Sequence, residues 1–147
     1  MTRTLAVALA GIAGVLVGMQ APVNSRLGKS VGSVQAATFS FIVGTVALAL
    51  VATLFYGGLG GFAQVGKAPA WAWIGGLFGA VYVTVAILTV RTLGVSGLTA
   101  IVISGQLVAA VAIDRFGLLG IAKQPIGATR IAGLVLLVVG ALLVVRR

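Results

Sequence analysis

The sequence predicts an all-α membrane protein with five transmembrane helices, and three observations predict it. The 147 residues are 61% hydrophobic and only 7% charged, whereas a soluble domain carries about 25% charged residues. The mean hydropathy is +1.25. The apolar residues fall into five runs, roughly 4–24, 33–56, 70–90, 95–113 and 125–145, each long enough to cross a hydrocarbon core of about 30 Å at 1.5 Å per residue. Lipid offers no hydrogen bonds, so each span must satisfy its own backbone. A barrel strand would show alternating polarity, which is absent, so the runs read as helices. Residues 1–147 read as a single five-helix transmembrane domain.

Each element has its own signals. The first run follows Arg3 and has the outline of a signal peptide. No small-x-small cleavage site leads into a polar mature chain, so it is expected to stay as the first span. Its second half, GIAGVLVGMQAPVNSRLGK, places Gln20, Pro22 and Asn24 close together. Pro22 has no N–H, so the carbonyl of Gly18 loses its helical partner. Gln20 and Asn24 are four apart and share a helix face. Ser25–Gly32 is expected to be a loop carrying Arg26 and Lys29. The second run holds Ser40 and Gly44 in a small-xxx-small spacing, with Thr38 and Thr45 on one face. A Gly-rich loop follows, with Lys67 as its one charge. Pro69 is suited to start the third helix, where a missing donor costs nothing. Trp71 and Trp73 sit at that start, as an interfacial aromatic belt does. Tyr82 and Thr84 fall near mid-span. Arg91–Gly94 is a tight connection, so the third and fourth helices form an antiparallel hairpin. The fourth run carries Ser104 and Gln106 near its middle and ends at Asp114 and Arg115. Pro125 is expected to open the fifth helix, which carries Arg130, Gly133 and Gly140.

The inventory excludes several classes of function. There is no cysteine and no histidine, and Asp114 is the one acidic side chain. A thiolate metal site, an imidazole base and a paired-carboxylate active site are therefore all out of reach. No phosphate-cradling loop is present. The chain is not expected to be an enzyme or to need a metal or cofactor. The net charge of +9 is no nucleic-acid footprint, because the cations lie scattered at the ends of apolar runs rather than in a stripe.

Their placement bears on orientation. Five spans put the termini on opposite sides. One side then holds Arg3, Lys67, Arg115, Lys123 and Arg130. The other holds Arg26, Lys29, Arg91, Arg146 and Arg147. Orientation normally follows an excess of Lys and Arg on the cytoplasmic side, and here neither side has one. Insertion in both orientations, with two copies pairing antiparallel, is the expectation; a single orientation set by another feature is the alternative. An antiparallel pair has a two-fold axis in the membrane plane, the geometry of inverted-repeat transporters with midplane sites.

Read in order, GMQAPVNSRLG, AATFSFIVGT, WIGGLFGAVYV, RTLG, SGQLVAAVAIDRFGLLG and RIAGLVLLVVGALLV resemble the YdcZ-type branch of the drug/metabolite transporter (DMT) superfamily over nearly the full length. The resemblance implies half of a ten-helix inverted-repeat fold in the bacterial inner membrane. Members occur as single genes, pairs and fusions, which suits a balanced charge count. The superfamily also includes small multidrug exporters that use a membrane-embedded glutamate in the first helix. Gln20 stands in this chain instead, with no acid in that helix, which weighs against that mechanism.

Candidate site residues follow. Gln20, Asn24, Gln106, Tyr82, Thr84, Ser104 and the Gly18 carbonyl are candidate substrate contacts. The alternative for the amides is interhelical glue, and for Tyr82 a bonded core hydroxyl. Asp114 is a candidate ion site or the partner of Arg115, Lys123 or Arg130 in a salt bridge. Gly14, Gly75, Gly79, Gly133 and Gly140 have spacings suited to close helix packing, within the chain or in a dimer. The expected function is secondary transport of a small neutral or amphipathic metabolite by alternating access. The expected partners are lipid, a second copy in opposite orientation and the small-molecule substrate. A small-multidrug-like cation exporter and a non-transporting membrane subunit are the alternatives.

Overall fold

A computed structural model describes residues 1–146. Arg147, one of the cations in the charge tally, lies outside the described residues. The helices are α1 (Arg3–Val31), α2 (Ser33–Phe55), α3 (Gly75–Phe116) and α4 (Ala128–Val145), and no strand occurs among the described residues. The chain divides into two compact units, Met1–Leu88 and Thr89–Arg147.

In the first unit α1 starts at a Thr2 cap, whose Oγ1 accepts the Leu5 N–H at 3.3 Å. The helix then runs through Pro22 for 29 residues, about 44 Å at 1.5 Å per residue. This corrects the expected loop at Ser25–Gly32. The segment SRLGKSV is polar but has no proline, and Arg, Leu and Lys are good helix formers. Polarity marks where a span leaves lipid, not where a helix stops. The helix stops at Gly32, at φ 91° and ψ 153°, a conformation open to glycine and strained for side-chain-bearing residues. Gly32 is the one residue between α1 and α2.

That single-residue pivot makes α1 and α2 a tight hairpin. A Cβ on Gly28 would lie 3.3 Å from Ile87 Cγ2 and 3.7 Å from Ala36 Cβ. α1, α2 and the Gly75–Leu88 part of α3 therefore converge where Gly28 has no side chain. Around this point Ala36, Ala37, Val83 and Ile87 form the buried core, with Leu27 and Tyr82 packed on it. Higher up, Phe41 of α2 fits against Gly79, whose Cβ would be 3.1 Å from the Phe41 ring. Between α2 and α3 the chain makes a 3₁₀ helix at Gly60–Lys67 and another at Ala70–Ile74. Trp71 and Trp73 are exposed on the second of these.

In the second unit the helical run departs from α geometry at Gly94, at φ 71° and ψ 167°. Beyond it, Gly97 is buried, with Val145 Cγ2 3.7 Å from the position of its missing Cβ. At the far end Arg130 pairs with Asp114. An early residue of the 95–116 helix thus meets a late residue of α4, and a late one meets an early one, so the two are antiparallel. The connection turns at Gly117 in the left-handed region and is tied back by the Gln124 N–H to the Asp114 carbonyl at 2.9 Å.

Among the described residues four helical stretches are long and apolar enough to cross a bilayer. The third and fourth expected spans both lie in the stretch Ala70–Phe116, of 47 residues, as two helices joined across a kink at Gly94. Arg91–Leu93 stay helical there, and the expected four-residue connection shrinks to the deviation at Gly94. Pro125 does not open the last helix. It lies in an irregular segment, and α4 begins at Ala128 after Gly127.

The helices leave most of their large apolar side chains outside. Leu48 and Leu54 of α2 and Leu136 and Leu142 of α4 are all exposed. Water would penalise this surface at about 25 cal/mol per Å². Lipid does not.

Candidate functional site

The site grows from the α1–α2 hairpin. Residues equally far from a one-residue pivot come to equal heights on the two helices. Asn24 lies eight before Gly32 and Ser40 eight after, and Asn24 Nδ2 donates to Ser40 Oγ at 3.2 Å. Gln20 and Gly44 lie twelve to either side and line one groove together. Asn24 is only 6% exposed. A buried amide needs partners, since desolvating it without a hydrogen bond costs about 1–3 kcal/mol in proteins. Ser40 supplies one.

Two grooves flank this pair. The larger, about 410 Å³, is lined by Leu16, Met19, Val23, Phe39 and Val43 with Gln20, Asn24 and Ser40. Its volume is within the range of small-molecule sites, about 300–1,000 Å³. The smaller, about 220 Å³, shares Gln20 and Ser40 and adds Phe41, Gly44, Thr45 and Leu48. On the other side Gln20 and Asn24 face Tyr82, Val83 and Ala86 across a seam too tight for a ligand. Pro22 sits inside α1 between the two amides, so no N–H from position 22 reaches the Gly18 carbonyl.

The candidate residues thus divide. Gln20, Asn24 and Tyr82 come together in the first unit. Thr84 does not join them in a groove, because its hydroxyl donates to the Ala80 carbonyl at 2.8 Å. In the second unit the Ser104 hydroxyl likewise donates to Ala100 at 2.8 Å, and Gln106 is exposed. The carboxylate of Asp114 holds Arg130, with the side chains 23% and 39% exposed, a part-buried ion pair at the junction of two helices. Among the glycines, a Cβ on Gly14, Gly18, Gly75, Gly133 or Gly140 would meet nothing within 4 Å. Within the chain no side chain packs on these positions, and Gly79 alone of the proposed packing set touches a neighbouring helix.

Ser40 is the groove residue that sequence reasoning passed over as part of a small-residue spacing. The signal was present. Once Gly32 is taken as the pivot, Ser40 is the polar residue placed opposite Asn24.

Long apolar helices carrying a recessed cluster of amides and a hydroxyl define a multi-pass integral membrane protein in contact with lipid. Residues 5–143 match the family described as "Putative inner membrane exporter, YdcZ", and the chain belongs to that family, within the DMT superfamily. Membership places it in the inner membrane, with transporters rather than enzymes. No curated protein and no solved structure matches the chain.

Proposed function

We propose that the chain is one half of a secondary transporter, working as an antiparallel homodimer that moves a small molecule by alternating access. The observation that carries this is the Asn24–Ser40 bond beside Gln20 in a groove of about 410 Å³ on apolar helices. Polar groups at that depth are costly in lipid and mark transport pathways. The chain crosses the membrane five times in this reading. A helical run of 47 residues would be about 70 Å long if straight, more than twice the hydrocarbon core. The departure at Gly94 is the place where it divides into two crossings. Five crossings leave the cations evenly shared between the two sides, which supports dual insertion. The open glycines Gly14, Gly75, Gly133 and Gly140 give a second copy places for close approach. The cation-exporter alternative loses support because Asp114, the one acid, is engaged by Arg130.

Two measurements test the proposal. Reporters active on only one side of the membrane, fused to the C-terminus, should reveal two comparable populations; a single population refutes the antiparallel pair. Proteoliposome flux across a metabolite panel should yield a substrate whose transport is lost in Gln20→Ala and Asn24→Ala. Flux indifferent to both substitutions removes the groove from the pathway.

A further inference from the structure

We propose that the α1–α2 groove takes an uncharged molecule with an apolar body and one amide- or hydroxyl-like group. The inference rests on the groove being the substrate site and names the chemistry of what fills it.

Several hydroxyls on these helices are committed locally. Those of Thr38, Thr53, Thr84 and Ser104 each donate to the carbonyl four residues back, at 2.8 to 2.9 Å. Their protons are spent on their own helices. Ser40 behaves differently. Its oxygen accepts from Asn24 Nδ2, and its proton makes no bond to the helix among the described residues. An oxygen that already accepts one bond is polarised into a better donor. The remaining lone pairs of Asn24 Oδ1 and the whole amide of Gln20 also lack partners among the described residues. Asn24 has committed one of its two amide hydrogens, so that the groove meets an acceptor from Asn24, a donor from Ser40, and both kinds from Gln20.

A primary or secondary amide, or a hydroxyl, complements that set. A carboxylate or an ammonium does not. No charged side chain lines either groove, and an unpaired charge costs far more to desolvate than a neutral dipole. The rest of the larger groove is apolar, with Met19, Val23 and Val43 exposed along it. The non-polar part of the occupant lies there, reached from the lipid side.

Equilibrium dialysis of the full chain in nanodiscs, against empty nanodiscs, tests this with four probes of similar size: benzamide, benzoate, benzylammonium and ethylbenzene. Benzamide should be retained best. Ser40→Ala and Gln20→Ala should each weaken its retention about three- to tenfold, the loss of one neutral hydrogen bond. Thr53→Ala, whose hydroxyl is spent on its helix, should change nothing. Val43→Trp, which fills the groove, should abolish retention, and Leu16→Trp at its exposed edge provides a second block if the first disturbs folding. Tighter retention of benzoate or benzylammonium, lost on blocking, overturns the uncharged class while the groove survives as a site. Equal retention of ethylbenzene with Ser40→Ala silent overturns the polar half of the claim. No block-sensitive retention of any probe overturns both the inference and the groove.

Discussion

Consider the bond between Asn24 and Ser40. Asn24→Ala removes a hydrogen bond of 3.2 Å between α1 and α2 and deletes a side chain that is 6% exposed. Interhelical hydrogen bonds within membranes average about 0.6 kcal/mol and reach about 1.7. The vacated space adds a packing loss, so Asn24→Ala should cost about 1–2 kcal/mol in all. Ser40→Ala loses the same bond with less volume and should cost about 0.5–1.5 kcal/mol. The cycle closed by the double variant should show a coupling of about 0.6–1.7 kcal/mol. Reversible unfolding in mixed micelles, titrated with SDS, measures all four corners. Asn24→Leu with Ser40→Ala replaces both polar partners by apolar groups of similar shape and should be nearly neutral in stability. The same pair should abolish flux if the amide and hydroxyl contact substrate. A coupling indistinguishable from zero would falsify the bond as the fastener of the hairpin. Full flux in the apolar double variant would leave the bond as packing and nothing more.

Three further outcomes follow from particular contacts. Ile87 is 1% exposed where three helices meet, and Ile87→Ala should cost about 2–5 kcal/mol in the same unfolding titration. Gly32→Ala places a Cβ at φ 91° and should cost about 1–3 kcal/mol, with earlier elution on gel filtration if the hairpin opens. Asp114→Asn and Arg130→Gln should each lower stability by no more than about 1 kcal/mol, because both side chains retain exposure, and each should leave flux intact. Loss of proton coupling in Asp114→Asn alone would instead restore the cation-exporter alternative.

How far the site could be read from the residues varies from one to the next. Gln20 and Asn24 stand out because an amide in an apolar run demands a reason. Pro22 between them sharpens the demand. Ser40 does not stand out, since serine is common in packed membrane helices and only its opposite number identifies it. Asp114 left three cations open as partners. The turn after Phe116 brings α4 back antiparallel and selects Arg130, in the first turn of that helix. The spacing of Gly14 with Gly18 suggests close packing, yet a repeat specifies a face and not what lies against it.

What the chain determines by itself is its solvent and its secondary structure. Lipid accepts only side chains of low polarity and only backbones that bond locally. Composition and run length therefore carry that information residue by residue, and the family match follows from the same ordered segments. The tertiary structure decides where helices stop and which residues face one another. A polar stretch can remain helical, as Ser25–Val31 does, and a single glycine at positive φ can replace an eight-residue loop. Moving the pivot by one residue rotates every later position of α2 by about 100°. Only with Gly32 as the pivot does Ser40 turn toward Asn24 and the groove take shape.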